Sequence, residues 1–485
     1  MTVLTENLPH RRMHIGGQWV DASDGGVLES ENPATEQAVG TFPAGTAADV
    51  DAAVDAASQA APAWAALGWD KRGRLLRELA AALAAERELL ARLDVQDGGA
   101  PITAMRRDLD QAVGEIGYFA GTGSGTRGVS APAEDGSVSY TLRTPYGVVG
   151  RIVPFNHPIK FAAGKCAAPL AAGNAVVLKP GEQTSLSALE LARIAAQFLP
   201  PGVLNVVTGL GTVVGARLTE HPDVPRIAFT GSVATGRAVL RSAAHEIKHV
   251  TLELGGKNPV IVFPDVDVRQ AARAAVAGMN IARSTGQSCG SGSRLFVHDA
   301  IREAFVDALC ERLAEMVVGD PLDDRTEVGP LAFRSHYNRV VEMVGTARSE
   351  GATVDYGGVR PAGLDTGFYL TPAVLTGLDD QMTVVRTEIF GPVISVLGWT
   401  EVDDVVQRAN ALPLGLTANI WTNDVNAALR TAQAVDAGYV YVNGSGRRNS
   451  TLPFGGWKQS GIGQENGPEE LLSYTREKSI TVTLH

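Results

Sequence analysis

Gly147-Val148-Val149-Gly150-Arg151-Ile152-Val153 is a short β-branched run that stops at Pro154-Phe155-Asn156-His157-Pro158, and its repetition decides the fold. Similar runs follow at 175–179, 203–207, 226–229 and 249–254. Helix-length segments separate them, at a spacing of roughly 22–28 residues, as in a βαβ series. Such a series predicts a parallel sheet with right-handed crossovers. Ligands of these sheets sit beyond the carboxyl ends of the strands. Cofactor contacts are therefore expected in the loops 154–158, 180–183 and 230–236. Upstream, residues 46–122 read as helical, because Val50, Val54, Leu75, Leu76, Leu79, Leu83 and Leu90 recur at helical spacing. Downstream, 260–460 reads as a second α/β unit with helices near 266–282, 299–315 and 424–436. Val138, Tyr140 and Leu142 alternate with polar residues, as do Ile480, Val482 and Leu484. Each predicts a half-buried strand outside the main units. Arms of this kind often extend a neighbour's sheet, so a homo-oligomer, dimer or tetramer, is expected.

The composition fits this picture. The chain has 485 residues, 45% hydrophobic and 20% charged, enough for a large core. Its weakly polar stretches at 161–178 and 271–282 are interrupted by Lys165, Pro169, Asn174, Arg273 and Asn280, so no membrane helix is expected. His10, Arg11 and Arg12 have no apolar run behind them, which speaks against a secretory signal. Three cysteines, Cys166, Cys289 and Cys310, exclude a disulfide scaffold and suit a reducing, cytoplasmic setting. A net charge of −11 argues against a nucleic-acid partner. Of 42 basic residues only eight are lysine. Arginine has replaced lysine widely, and the lysines that remain mark sites where an ammonium is needed.

Three motifs are weak. His245-Glu246-Ile247-Lys248-His249 matches H-E-x-x-H, but no third ligand stands at the positions that would follow it, and a strand begins at Val250. The histidines read as surface residues at a helix end, and no metal site is expected. Gly231 and Gly236 have P-loop spacing, yet Arg237 and Ala238 stand where Lys and Ser/Thr belong. Gly209, Gly211 and Gly215 nearly form a dinucleotide fingerprint, but turn glycines explain them as well.

Other segments carry chemistry. In Gly286-Gln287-Ser288-Cys289-Gly290-Ser291-Gly292-Ser293-Arg294, small flanking residues leave the sulfur open to a substrate. Cys166 and Cys310, in apolar helices, read as small buried hydrophobes. In Val250-Thr251-Leu252-Glu253-Leu254-Gly255-Gly256-Lys257-Asn258-Pro259, Glu253 faces away from Leu252 and Leu254. It can reach a cleft as a base, or form a structural salt bridge with Lys257 or an arginine. Asn156 could donate to an oxyanion or simply shape a turn. Further marked segments are Leu178-Lys179-Pro180-Gly181-Glu182-Gln183-Thr184, Phe229-Thr230-Gly231-Ser232, Glu388-Ile389-Phe390-Gly391-Pro392 and Pro453-Phe454-Gly455-Gly456-Trp457-Lys458-Gln459-Ser460-Gly461.

Together and in this order, these segments resemble the aldehyde dehydrogenase superfamily, in its hydrolytic, betaine-aldehyde-dehydrogenase-like branch, from about residue 13 to the C-terminus. The resemblance implies a Rossmann-like cofactor domain (1–122 and 146–257), an α/β catalytic domain (258–460), and an oligomerisation arm with a C-terminal strand (123–145 and 461–485). It implies Cys289 as the thiol that attacks the aldehyde, Asn156 as oxyanion donor, and Glu253 as the base for thioester hydrolysis. Lys165 and Glu465 match a proton-relay pair. Lys179 and Glu182 match the adenosine-ribose contacts, a carboxylate there favouring NAD over NADP. Ser232 matches a pyrophosphate contact at a helix N-terminus. Glu388 and Phe390 match the nicotinamide side, and Gly231, Leu254 and Phe155 match further cofactor contacts.

The chain departs from the family in three places. The Glu253–Cys289 interval of 36 residues is slightly long, Arg283-Ser284-Thr285 lacks the usual Asn before Gly286, and Phe155 replaces a Trp. His157, Lys160, Arg447 and Arg448 stand in or beside loops that approach the substrate mouth in relatives, where they either favour a polar or anionic aldehyde or are simply solvated cations. Alternatives to hydrolytic, NAD-dependent oxidation are a CoA-acylating semialdehyde dehydrogenase, in which a thiol rather than water resolves the thioester, a cofactor-free thiol esterase and the zinc hydrolase of the histidine motif.

Overall fold

The computed structural model describes residues 8–123, 126–131, 136–445 and 449–483. The five expected strands form the centre of one sheet, in the order Leu204–Val206, Ala175–Lys179, Val148–Ile152, Arg226–Thr230, His249–Glu253, all parallel. The first strand in sequence lies in the middle, so strand order reverses around it. At such a point, crossovers leave in opposite directions and open a crevice at the carboxyl ends. The strands are buried on both faces. Val149, Val176 and Leu178 pack on one side with Leu76, Leu83 and Ile116. Val148, Ile152 and Val177 pack on the other with Val50, Val54 and Val239. Period-two alternation between two apolar layers explains the near-continuous hydrophobic runs of the sequence.

Residues 46–122 form four helices, Ala47–Ala66, Gly68–Ala85, Arg87–Gly98 and Ile102–Thr122. Thr46 and Asp49 close the first with a reciprocal capping box.

A second sheet of seven strands runs Thr353–Tyr356, Ala373–Thr376, Val393–Trp399, Arg294–His298, Pro259–Val262, Thr417–Trp421, Tyr439–Val442. Only its first pair is antiparallel. The expected helices appear as Val268–Gly278 with Ile281–Ser284, Arg302–Ala314 and Val425–Ala434. Arg334–Ser349 and Val402–Asn410 are further helices that the sequence reading passed over.

The two alternating arms pair with each other. Ser137–Pro145 and Thr475–Thr483 run antiparallel over nine matched positions, and Val138, Leu142 and Val482 stay exposed. Leu484 lies outside the described residues. Gly461–Ile462, grouped by the sequence with the C-terminal strand, instead adds an antiparallel edge to the first sheet beside His249–Glu253. The helix Gly467–Ser473 then packs against Lys165–Ala171.

Candidate active site

The expected loops converge at the carboxyl ends of the first sheet. Glu253 ends its strand with its side chain 4% exposed. The following glycines let the chain pass tightly. A Cβ on Gly255 would stand 1.9 Å from Glu388 Oε2, and one on Gly256 would meet Asn258 Oδ1 at 2.4 Å. Asn258 in turn donates to the carbonyls of Cys289 (2.7 Å) and Ser291 (2.9 Å), so the strand's exit fixes the loop that carries the sulfur. Asn156, also buried, donates to the carbonyl of Gln287 at 2.8 Å. The oxyanion candidate and the nucleophile candidate are therefore one hydrogen bond apart in register.

Backbone strain gathers here. Asn280, Thr285 and Phe390 adopt left-handed φ values of 57°, 52° and 59°. Phe390 is held there by His336, whose Nε2 meets its carbonyl at 2.7 Å, and by edge-on contact with Phe155 at 5.8 Å. Burial lowers His336 to about 4, so it stays neutral.

Cys289 lines two cavities. One, of about 260 Å³, is bounded by Phe155, Ser232, Glu253, Glu388 and Phe390. The other, of about 370 Å³, is bounded by polar groups including Gln111, Lys160, Lys165, Asn280 and Arg283. Cys166 and Cys310 lie elsewhere, and burial pushes their thiols up to about 12 and about 11.

The first cavity and the loops beside it have the chemistry of a dinucleotide cradle. Ser232 caps the helix Val233–Ala244 by accepting from Thr235 N, which leaves a helix N-terminus facing the crevice. Glu388 accepts from Gly256 N at 3.1 Å, and burial raises its carboxyl to about 7. Lys179 Nζ donates to Pro180 O at 2.9 Å and faces Glu182 at 3.4 Å. Burial lowers its ammonium, and Glu182 offsets part of that. Glu182 also accepts from Gly211 N at 2.9 Å, which gives the weak glycine pattern at 209–215 a place beside this site. Gly236, from the false P-loop, is needed for helix–strand packing: a Cβ there would press Leu254 at 2.7 Å.

Lys165 and Glu465 form a buried ion pair of 2.7 Å, shared with Arg151 at 2.6 Å. Burial alone would lower Lys165, but Glu465 and Glu470 outweigh it and keep the ammonium charged. Glu470, in the same cluster, is raised to about 7 by burial.

His157 differs from its expected place among mouth cations. It is 4% exposed, its Nδ1 donates to Asp108 at 2.5 Å, and burial lowers it to about 4. Lys160 is half-buried on the cavity wall, whereas Arg447 and Arg448 lie outside the described residues. Sequence reasoning missed Asp108, Arg283, Phe333 and His336 as site residues. His336 and Arg339 sit three apart on one helix that begins just after Phe333, the only signal they offered. His245 ends a helix and His249 starts the next strand, both exposed, so the H-E-x-x-H pair does not share a helix face. Among the described residues, no cluster of three metal-ligating side chains occurs.

Comparison with known proteins agrees with the geometry. Residues 19–480 match the model of the Aldehyde dehydrogenase family. The chain is 40% identical over 474 residues to the hydroxyisobutyraldehyde dehydrogenase of Mycolicibacterium austroafricanum, covering 97% of this chain and 94% of that protein. Among solved structures, an aldehyde dehydrogenase from Bacillus cereus in its NAD+ complex superposes with a TM-score of 0.95 at 38% identity, covering 98% of this chain and 97% of that one. Betaine aldehyde dehydrogenase from Staphylococcus aureus in complex with NAD+ gives 0.95 at 34% identity, covering 98% and 95%. The chain belongs to the aldehyde dehydrogenase family and is an oxidoreductase acting on aldehydes.

Proposed function

We propose that the protein oxidises a small polar aldehyde to its carboxylic acid with NAD, hydrolytically, and the observation that carries this is the position of Cys289 between two chemically different cavities. NAD, when bound, supplies the hydride acceptor. Glu388, Phe390 and Phe155 would hold its nicotinamide side, Gly231, Ser232 and Leu254 its pyrophosphate, and Lys179 and Glu182 its adenosine ribose. The Cys289 thiolate adds to the aldehyde carbonyl. One amide hydrogen of Asn156 is spent on Gln287, and the second, with the backbone N–H of Cys289, takes the developing oxyanion. Loss of the aldehyde hydrogen as hydride to that acceptor would leave a thioester, and Glu253 then removes a proton from the water that cleaves it, with Cys289 leaving as thiolate. That base favours hydrolysis over transfer to CoA. Lys165 lines the substrate cavity and pairs behind it with Glu465 as a proton-relay pair, and Glu470, in the same cluster and raised to about 7, is a further group able to exchange a proton near neutrality.

Arg283, Lys160, Gln111 and Asn280 offer hydrogen-bond donors to a hydroxyl or carboxylate on the substrate. Two relatives whose names specify hydroxyisobutyraldehyde and betaine aldehyde point to polar substrates as well. In a 340 nm assay, succinic semialdehyde or a hydroxylated aliphatic aldehyde should exceed benzaldehyde about tenfold or more in kcat/KM, one good charged hydrogen bond's worth. Equal rates across the panel would retire the polar reading.

Glu182 supports NAD over NADP, because a carboxylate already in contact with Lys179 and Gly211 N repels a 2′-phosphate. Glu182→Ser should raise the NADP/NAD ratio of kcat/KM by about tenfold, the removal of one like-charge contact. An unchanged ratio would place discrimination elsewhere.

The paired arms, with Val138, Leu142 and Val482 on their outside, support an oligomer built through this ribbon. Light scattering that gave a monomer mass would overturn it. The three cysteines form no disulfide, which supports a cytoplasmic setting that cell fractionation can check. Among the described residues, no helix is long and apolar enough to cross a membrane.

A further inference from the structure

Asp108 is fully buried in the middle of the helix Ile102–Thr122, far in sequence from every segment that carries chemistry. Its two oxygens go to different places. Oδ2 accepts from His157 Nδ1 at 2.5 Å, and Oδ1 accepts from Arg283 at 2.6 Å. His157 directly follows Asn156. Arg283 stands six residues before Cys289, at the start of the strained turn through Thr285 and Gly286. The circuit closes on the far side, where Asn156 donates to Gln287 O and Gln287 N donates to Ser284 O at 2.9 Å. A further buried carboxylate, Asp94 from the neighbouring helix, accepts from Ile159 N at 3.0 Å and steadies the same loop.

A carboxylate taken out of water costs several kcal/mol unless it is paired. Burial alone would push the Asp108 carboxyl up, but the Arg283 charge and the hydrogen bond from His157 oppose it and keep it ionised. His157 is neutral, so its Nδ1–H is a fixed donor, and the imidazole orientation is set by the carboxylate. Arg283 is held in a fork between Asp108 and Gln111, the latter at 2.8 Å. Both limbs are thus directional, and they belong to the two loops whose relative position decides whether an oxyanion formed at Cys289 meets the Asn156 amide.

We propose that Asp108 is a positioning residue that sets the register of the Asn156 loop against the Cys289 loop, acting through His157 on one side and Arg283 on the other. It touches no reacting atom. The inference rests on the roles proposed above for Asn156 and Cys289.

The test is a double-mutant cycle on the aldehyde-driven NADH burst in stopped flow, at saturating aldehyde and NAD. Burst amplitude counts folded, competent sites, so partial misfolding lowers amplitude and leaves the rate readable. Asp108→Asn keeps the volume but cannot accept on both sides. It should slow the burst about tenfold, within the range for a misplacement of under 1 Å. In the Asn156→Ala background, the same substitution should change the burst less than about twofold, because the partner it positions is gone. His157→Asn, which retains a donor near Nδ1, should keep most of the rate that His157→Leu loses. An Asp108→Asn effect of equal size with and without Asn156 overturns the proposal, as does a loss seen only in the aldehyde concentration needed for half-maximal burst. If Asn156→Ala alone leaves the burst rate unchanged, the oxyanion reading itself fails, and that result is distinct from the other two.

Discussion

Cys289→Ala should abolish aldehyde-dependent NADH formation, a loss on the order of 10⁴-fold or more, because covalent catalysis has no substitute for its nucleophile. The fold offers no second candidate. Cys166 is 2% exposed and its thiol is pushed up to about 12, so its thiolate fraction at neutral pH is negligible. Cys310 sits on the helix Arg302–Ala314 with a thiol raised to about 11. Cys166→Ser and Cys310→Ser should therefore leave the burst intact. Alkylation mapped by mass spectrometry should concentrate on Cys289 in the unmodified enzyme. Substantial oxidation by the Cys289→Ala protein would remove the mechanism proposed here, whatever its fold.

Glu253→Gln separates the two halves of the reaction. The amide is nearly isosteric with the carboxylate, so the strand exit and its glycines keep their packing. What is lost is a base, a contribution of roughly 10²–10⁴ in the step it serves. The burst of NADH should survive, while steady-state turnover falls by about that factor and an acyl-enzyme accumulates that is visible as a mass increment on Cys289. Added hydroxylamine, a stronger nucleophile than water, should restore turnover in part. A vanished burst would mean that Glu253 also activates the thiol, and full steady-state activity would return it to the structural salt-bridge reading.

The sequence made the fold legible where local rules act alone. The five strand runs and the helices of 46–122 follow from periodicity within a dozen residues. The candidate site was legible where a residue type had little alternative use, as with Cys289 among glycines and serines, whereas Glu253 at a strand end before two glycines read equally as a base or a salt-bridge partner. Asp108 was not legible. It stands beside Leu109 and Asp110 in a helix rich in charge, and reads as solvated until Arg283, 175 residues away, is placed on it. His157 was misjudged for the same reason, since its burial depends on a partner from another helix. The two arm strands were visible as strands, but their pairing links positions more than 330 residues apart, such as Thr144 and Arg476. Register over that distance leaves no local trace. The lysine scarcity was informative in part. Lys165 and Lys179 hold carboxylates, and Lys458 holds Asp436 at 2.8 Å. Lys257 is buried, which lowers its ammonium to about 7, and its nearest offsetting charge is Glu388.

The closing segment of the chain has a consequence for biosynthesis. The last core strand of the first sheet is complete at residue 253, yet Arg151 at its centre finds its carboxylate only in Glu465, and Arg226 donates to the carbonyl of Ser473. Asn174 likewise waits for the carbonyl of Tyr474. Translation at about 5–20 residues per second leaves roughly 10–40 s between emergence of the sheet and emergence of the groups that satisfy it. During that time Arg151 lacks its carboxylate and has only the Thr230 hydroxyl in reach, while Arg226 is held by Ile227 O and the Thr251 hydroxyl alone. The packing around Arg151 and Arg226 is thus completed only once residues 465–474 have been made.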